Sequence, residues 1–183
     1  MRLRKLAMKK SRTRKILVAA ILVISLAAML AVVNSFGFSP DPSDTSTFMA
    51  RAQQRSAPGI KVDASALGES ESRRFFGENL ARHNIQPVWL SIENQTDDQL
   101  AFIPIAMDPD YYSPYEVAYR FHGLISFAGN RARDEFFLKH QIASVLPAHS
   151  KTTGFVYGVL DAGIKYAHIV IAGQKGMSRP MLN

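Results

Sequence analysis

The sequence predicts a mainly β fold: an antiparallel immunoglobulin-like β-sandwich with a helical insertion, behind a single N-terminal transmembrane helix. Three observations predict it. An unbroken apolar run, ILVAAILVISLAAMLAVV at residues 16–33, follows a segment dense in Lys and Arg. Further on, short stretches of alternating apolar and polar residues recur with turn-forming residues between them, spaced about every eight to twelve positions as in sandwich domains. Between two groups of these stretches the apolar spacing changes to that of a helix.

The apolar run comes first in the chain. As a helix its eighteen residues would rise roughly 27 Å, close to the thickness of a bilayer's hydrocarbon core. Ser25 is its only polar residue, and Ile16, Leu17, Val18, Ile21, Leu22, Val23, Ile24, Leu26, Leu30 and Val33 supply an apolar surface for lipid. Arg2, Arg4, Lys5, Lys9, Lys10, Arg12, Arg14 and Lys15 precede it, with no acidic residue among positions 1–15. A flank of that sign stays on the cytoplasmic side, so residues 34–183 are expected across the membrane. A removable signal peptide has an apolar core of only ~7–15 residues and a small-x-small cleavage site. Here the run is longer and its end, AAMLAVVNSFG, offers no clean Ala-x-Ala, so it reads as a signal anchor. The basic segment has no Arg-Arg pair for twin-arginine export. The chain has no cysteine, which excludes a lipidated cysteine and any disulfide. An exported domain without disulfides is held by its core alone, which points to a bacterial envelope: inner membrane, single pass, N-terminus cytoplasmic, domain in the periplasm.

The net charge of +7 and pI near 9.8 suggest a nucleic-acid binder at first sight. Of the 22 Lys and Arg, however, 8 lie in residues 1–15, leaving 14 against 15 acidic residues in the remainder, a net of −1. The basic excess belongs to topology, and no nucleic-acid partner is expected.

Residues 1–15 thus form a cytoplasmic tail and 16–33 the membrane helix. Residues 34–72, rich in Pro, Ser, Asp and Thr, read as a flexible linker with room for a short helix near Thr47–Gln54. Residues 73–173 are the sandwich domain, and 174–183 a polar tail. Phe75, Phe76 and Leu80 suggest a first strand. In IQPVWLSIEN (85–94), Val88, Leu90 and Ile92 alternate with Trp89, Ser91 and Glu93, which marks a strand with one face in a core. After the turn-forming NQTDDQ, LAFIPIAM (100–107) returns with Ile103, Ile105 and Met107 on one face, and the two strands are expected to form a hairpin. Ile142–Leu146 is a further strand. GFVYGVL (154–160) and KYAHIVIAG (165–173) are expected to pair across Asp161-Ala162-Gly163.

The insertion spans about 114–140. Ser113-Pro114-Tyr115-Glu116 combines an N-cap serine, a proline at the first helical position and a glutamate at the third. Val117, Phe121, Leu124, Ile125 and Ala128 then fall at helical spacing, and Gly129-Asn130 closes the helix. A second helix follows from Arg131 to about His140, burying Phe136 and Phe137. This insertion is expected to cover the outer face of a sheet and bury Trp89 and Phe102.

No catalytic set is legible. His83, His122, His140, His149 and His168 form no HExxH and have no Cys or carboxylate at ligand spacing, so no metal is expected there. Asp108-Pro109-Asp110 with Glu116 is the densest acidic feature, yet it lacks the Asp-x-Asp-x-Asp loop and glycine of a calcium site and reads as turn and cap chemistry. Glu93 with Asp97 or Asp98 sits on a polar face where charges are solvated. Ser126 in GLISFAG lacks the Gly-x-Ser-x-Gly elbow, no phosphate loop or dinucleotide fingerprint occurs, and the sequon Asn94-Gln95-Thr96 is coincidental in a bacterial chain. No cofactor is expected, and the chain does not read as an enzyme. Tyrosines suit interfaces, so Tyr111, Tyr112, Tyr115 and Tyr119, with Asp108, Asp110 and Glu116, make the best candidate binding surface.

Three runs, FFGENLARHNIQPVWLSIENQT, DPDYYSPYEVAYRFH and GFVYGVLDAGIKYAHIVIAG, resemble the membrane-proximal front region of bacterial envelope proteins that carry an LssY-like C-terminal domain. The resemblance covers about residues 75–173 and implies an envelope protein, with no catalytic residues to transfer. Such proteins continue into the LssY-like portion where this chain ends at Asn183, so it is expected to be a stand-alone or shortened front module. The expected function is a membrane-anchored protein-interaction module with an envelope protein as partner. The alternatives are an accessory that binds or processes a small molecule or lipid, and a structural spacer.

Overall fold

The computed structural model describes residues 16–29, 38–103, 111–124, 126–160 and 170–173. The chain divides into two compact units, Met1–Gly37 and Phe38–Asn183. In the first, residues 16–29 form helix α1, with Ile16, Leu17, Val18, Ile21, Leu22, Val23, Ile24 and Leu26 all exposed. Its one polar side chain is satisfied inside the helix, the Ser25 hydroxyl donating to the Leu22 carbonyl at 3.0 Å. Leu30 and Val33 lie outside the described residues. Among the described residues no helix is long and apolar enough to cross a membrane.

In the second unit Phe38, within the stretch expected as linker, is already packed against the domain. The Phe38 ring meets Phe136 edge-on at 5.7 Å, and the Asp41 N–H donates to the Arg74 carbonyl at 2.9 Å. Helix α2 (Ser46–Ala50) buries Phe48. Strands β1 (Gln53–Ala57) and β2 (Ile60–Ala66) pair as a hairpin turned by Gly59, whose φ of +73° favours glycine. Helix α3 (Glu69–Phe76) follows, its N-terminus capped by the Glu71 carboxylate accepting from the Gly68 N–H at 2.8 Å. It ends at Gly77 (φ +68°), where a Cβ would come 2.8 Å from the Pro40 nitrogen. The expected linker 34–72 therefore holds helix α2, near the short helix expected at Thr47–Gln54, a hairpin and the first half of α3. Composition hid the hairpin because β1, QQRSA, is an exposed edge strand with no apolar alternation. Phe75 and Phe76 belong to α3, and Leu80 to a 3₁₀ turn (Leu80–His83), rather than to a first strand.

The strands form two antiparallel sheets, and helices take a comparable share of the described chain. The larger sheet runs β1-β2-β3-β6, with β3 (Ile85–Asn94) between β2 and β6 (Ser150–Val159); Trp89 lies opposite Phe155 and Leu90 opposite Gly154. The smaller runs β5-β4-β7, with β4 (Leu100–Ile103) between β5 (Val145–Leu146) and β7 (Val170–Gly173). The expected hairpin between 85–94 and 100–107 does not form, because β3 and β4 lie in different sheets. The buried Asn94 side chain explains the switch. Its amide donates to the carbonyls of Asp98 (2.9 Å), Leu146 (3.1 Å) and Pro147 (2.9 Å), and its oxygen accepts from the Thr96 N–H (3.0 Å) and hydroxyl (2.7 Å). These bonds tie residues 95–99 to the end of β5, so the loop becomes an arch instead of a two-strand turn.

The expected pairing of 154–160 with 165–173 also fails: β6 belongs to the larger sheet and β7 to the smaller, where it pairs with β4. Asp161-Ala162-Gly163 lies outside the described residues. Of the expected strand Ile142–Leu146, only Val145–Leu146 is strand, while Gln141 makes a single parallel bridge to Phe155. There the backbones touch so closely that a Cβ on Gly154 would come 2.4 Å from the Ile142 nitrogen.

The larger sheet is buried on both faces. One face carries Ile85, Trp89, Phe155 and Tyr157 against Phe48, Phe75, Phe76, Leu80, Val117 and Phe137 of the helices and turn. The other carries Leu90, Ile92 and Val156 against Leu100, Phe102 and Leu146 of the smaller sheet, with Ile142 beside them. Full burial of a side chain of this size is worth roughly 1.5–3 kcal/mol. Trp89 is buried, and the ring that meets it, at 6.0 Å, is Phe48 of α2, which lies outside the insertion expected to cover it. Phe102 is not under the helices. It points into the core between the sheets with Leu100, so β4 has the opposite phase from the one expected, and Ile103 is only half-buried. Ile105 and Met107 lie outside the described residues.

In the insertion the Ser113 cap holds, with the Ser113 N–H donating to Glu116 at 2.7 Å and the Glu116 N–H to the Ser113 hydroxyl at 3.3 Å. Helix α4 (Pro114–Tyr119) is shorter than expected, and α5 (Phe127–Lys139) starts earlier and runs through Gly129-Asn130. The helix break follows Tyr119, where Asn130 turns its amide back on Gly123, accepting from its N–H and donating to its carbonyl, each at 2.9 Å.

Candidate functional site

The candidate surface is built on the segment entering α4. Tyr112 bridges to Tyr157 of β6, its N–H donating to the Tyr157 carbonyl at 2.9 Å, which ties the start of the insertion to the larger sheet. Arg120 stacks its guanidinium over the Tyr112 ring at 4.7 Å. Tyr115 and Tyr119, four residues apart and hence on one side of α4, are exposed. Tyr111 is half-buried, and burial raises its phenol above the ordinary value with a contribution from the nearby Glu116 carboxylate. Tyr157 is fully buried, its hydroxyl without a hydrogen-bond partner among the described residues, and burial pushes its phenol far up, Tyr111 adding to the shift. Glu116 is held low by the Ser113 backbone and side-chain bonds, so its charge serves the helix start. Asp108 and Asp110 lie outside the described residues. The fold therefore brings Tyr111, Tyr112, Tyr115, Tyr119 and Glu116 onto one segment, with two rings outward and two against the sheet.

Elsewhere the charged candidates have local partners. His149 meets Asp97 at 2.8 Å on the surface, and Glu93 accepts from the Gln95 amide. His83 packs edge-on against Phe121, and the His140 Nδ1 lies 2.8 Å from the Phe136 carbonyl. His168 lies outside the described residues. Among the described residues no group of three or more His, Cys, Asp or Glu is placed to hold a metal ion. Asn94 of the sequon is buried in the arch.

Three features escape a reading of the sequence. His122 and Asp134, twelve positions apart, meet at 2.9 Å between the α4–α5 connection and α5. Arg133 and Glu78 form an ion pair at 2.6 Å with both side chains largely buried, and the Arg133 guanidinium also lies over the Phe38 ring at 5.1 Å. No spacing rule links residues that far apart. The third is the tip of the α4–α5 connection. Leu124 is expected on a buried helix face, but it is 99% exposed, and Phe127 is 83% exposed. Ile125, its expected neighbour on that face, lies outside the described residues.

Set against known proteins, the chain matches no family model, and no curated protein or solved structure matches it.

Proposed function

We propose that this is a single-pass, membrane-anchored bacterial envelope protein whose extracytoplasmic domain binds another envelope protein and does no chemistry of its own. The observation that carries the reading is α1. Its apolar side chains are all exposed, its one hydroxyl is satisfied within the helix, and eight Lys and Arg precede it in residues 1–15. An apolar helix without protein cover calls for lipid, and the sign of its flank puts the N-terminus in the cytoplasm. The resemblance to the front region of LssY-type envelope proteins points the same way. Two antiparallel sheets sharing one core, with the chain changing sheets at the Asn94 arch, support reading the domain as an immunoglobulin-like sandwich.

The partner surface in this reading is the α4 face bearing Tyr115 and Tyr119, with Tyr112 and Arg120 behind it. Large amphipathic rings with few rotamers, beside an arginine, are what protein interfaces favour. The capped, packed state of Glu116, Tyr111 and Tyr112 favours such a surface over a small-molecule site. Paired reporter fusions at the C-terminus test topology: activity of the periplasm-dependent reporter is expected, and a cytoplasmic signal overturns the reading. A photo-crosslinker at Tyr119 tests the surface in cells. A discrete adduct lost in Tyr115→Ala is expected, and no adduct with any protein defeats the interaction role.

A further inference from the structure

The exposed tip of the α4–α5 connection has no role in that surface. Leu124 and Phe127 are nearly as open as residues in a free peptide, yet residues on either side of them are bonded in place. Asn130 closes the loop on Gly123 with two hydrogen bonds, and His122 is pinned to Asp134. A loop built in this way presents its apolar side chains outward instead of letting them fold back. On a water-facing surface such a presentation costs free energy, which contact with an apolar medium would recover.

The chain itself indicates which medium. Phe38 lies against Arg133 and Phe136 of α5. Phe127 is six residues before Arg133 on the same helix, about 9 Å along its axis. Five Cα–Cα steps separate Val33, the last residue of the apolar run, from Phe38, and they span at most roughly 18 Å. The covalent chain alone therefore keeps Phe38 within roughly 18 Å of the end of the apolar run. Arg131, one turn past Phe127, is exposed but ion-paired with Glu135 at 2.8 Å, so the tip's approach to a surface rests on its apolar side chains and not on charge.

We propose that Leu124 and Phe127 insert into the headgroup region of the phospholipid bilayer, giving the domain a second, interfacial contact beside its anchor. The inference rests on the anchor reading above. Insertion of two side chains is weak for a free protein, but a short tether holds the domain at high effective concentration at the surface, where two weak contacts reinforce each other.

The absence of native cysteine makes the test direct. Leu124→Cys, Phe127→Cys and, as control, Gln99→Cys are each labelled with a nitroxide in the full chain. Gln99 is exposed beyond the far end of β3, roughly 30 Å along that strand from Ile85. The chains are reconstituted into phosphatidylglycerol–phosphatidylethanolamine vesicles, and accessibility to oxygen and to an aqueous nickel chelate is read at each label. Labels at 124 and 127 are expected to lose most of their nickel accessibility and gain oxygen accessibility, while the label at 99 stays aqueous. Equal nickel accessibility at all three sites, with the chain resisting carbonate extraction, overturns the tip inference alone. Release of the chain by carbonate overturns the anchor reading and the tip with it. Shielding at 124 and 127 that appears only in native membranes assigns the tip to a protein partner and also overturns the inference.

Discussion

The two faces of the larger sheet are packed by different chemistry. Towards the helices the core is aromatic: Phe76 stacks on Phe137 at 5.1 Å and meets Phe155 edge-on at 5.0 Å, and Phe48 reaches both Phe75 and Trp89. Towards the smaller sheet it is mainly aliphatic, with Leu90, Ile92, Leu100, Leu146 and Val156 around the buried ring of Phe102, and the half-buried Tyr111 at its margin. Sheets stack at a regular spacing of about 10 Å that branched side chains fill by alternation. Short helices meeting a sheet at several angles leave uneven gaps, and flat rings in edge-to-face pairs fill them. Since β3 and β6 contribute to both faces, the comparison teaches that the helical layer is part of the domain's cooperative core and not an ornament on a sandwich.

That conclusion can be broken most forcefully by emptying each face in turn. Phe76→Ala should cost about 3–5 kcal/mol and Leu90→Ala about 2–5 kcal/mol, since each leaves a fully buried cavity. Both should move one shared unfolding transition, followed through the chain's single tryptophan. Two separate transitions in chemical denaturation would show that the faces fold independently.

The next effect compares the two sheets. Gly154→Ala in β6 drives a Cβ to 2.4 Å from the Ile142 nitrogen, where backbone and not a flexible side chain must yield, for about 1–3 kcal/mol. Gly173→Ala in β7 finds Leu100 at an ordinary 3.7 Å and should change stability by no more than about 0.5 kcal/mol. Equal losses in thermal unfolding would mean that the close approach of Gln141–Ile142 to β6 does not exist.

A smaller change sharpens the helical side. Ser113→Ala removes the cap of α4 and should cost about 1 kcal/mol in the same unfolding assay. No change at all would argue that α4 is held by Val117 and Ala118 packing alone.

The smallest effect is acid sensitivity. The Glu71 carboxyl is held below its ordinary value first by the hydrogen bonds from Arg51, and also by the Gly68 N–H. A depressed folded-state value means that this stability is complete above the unfolded carboxyl's pKa and is lost as pH falls through the folded one, from about pH 5 downward. Arg51→Ala should therefore lower the urea midpoint slightly at neutral pH and flatten its fall on acidification. Parallel curves for variant and wild type would remove Arg51 as the cause.

The sequence was most readable where the signal is local. The Ser113-Pro114-Tyr115-Glu116 start is present because a cap involves residues three apart. Strand β3 is present because alternation over ten residues needs no knowledge of its neighbours. Pairing was not readable. NQTDDQ has turn chemistry whether it closes a hairpin or an arch, and only the reach of Asn94 to Leu146 and Pro147 decides between them. Strand β1 was hidden because an exposed edge strand needs no apolar side chain. At the candidate surface, the tyrosines were legible as a composition, but which rings point outward depends on the Tyr112–Tyr157 bridge. Leu124 was misread because helical spacing was extended across the break that follows Tyr119.

By itself the sequence determined an apolar run with a basic flank, a nearly neutral remainder, a disulfide-free chain, the position of β3 and the start of α4. Each depends on composition or on contacts within one turn or one strand. The tertiary structure alone decided that Phe38 packs on α5 and that β3 and β4 part into different sheets. It also decided that both faces of one sheet are buried and that Leu124 and Phe127 stand exposed on a clamped loop. These depend on residues tens of positions apart, whose meeting is chosen by the free energy of the whole core and leaves no periodic trace in the chain.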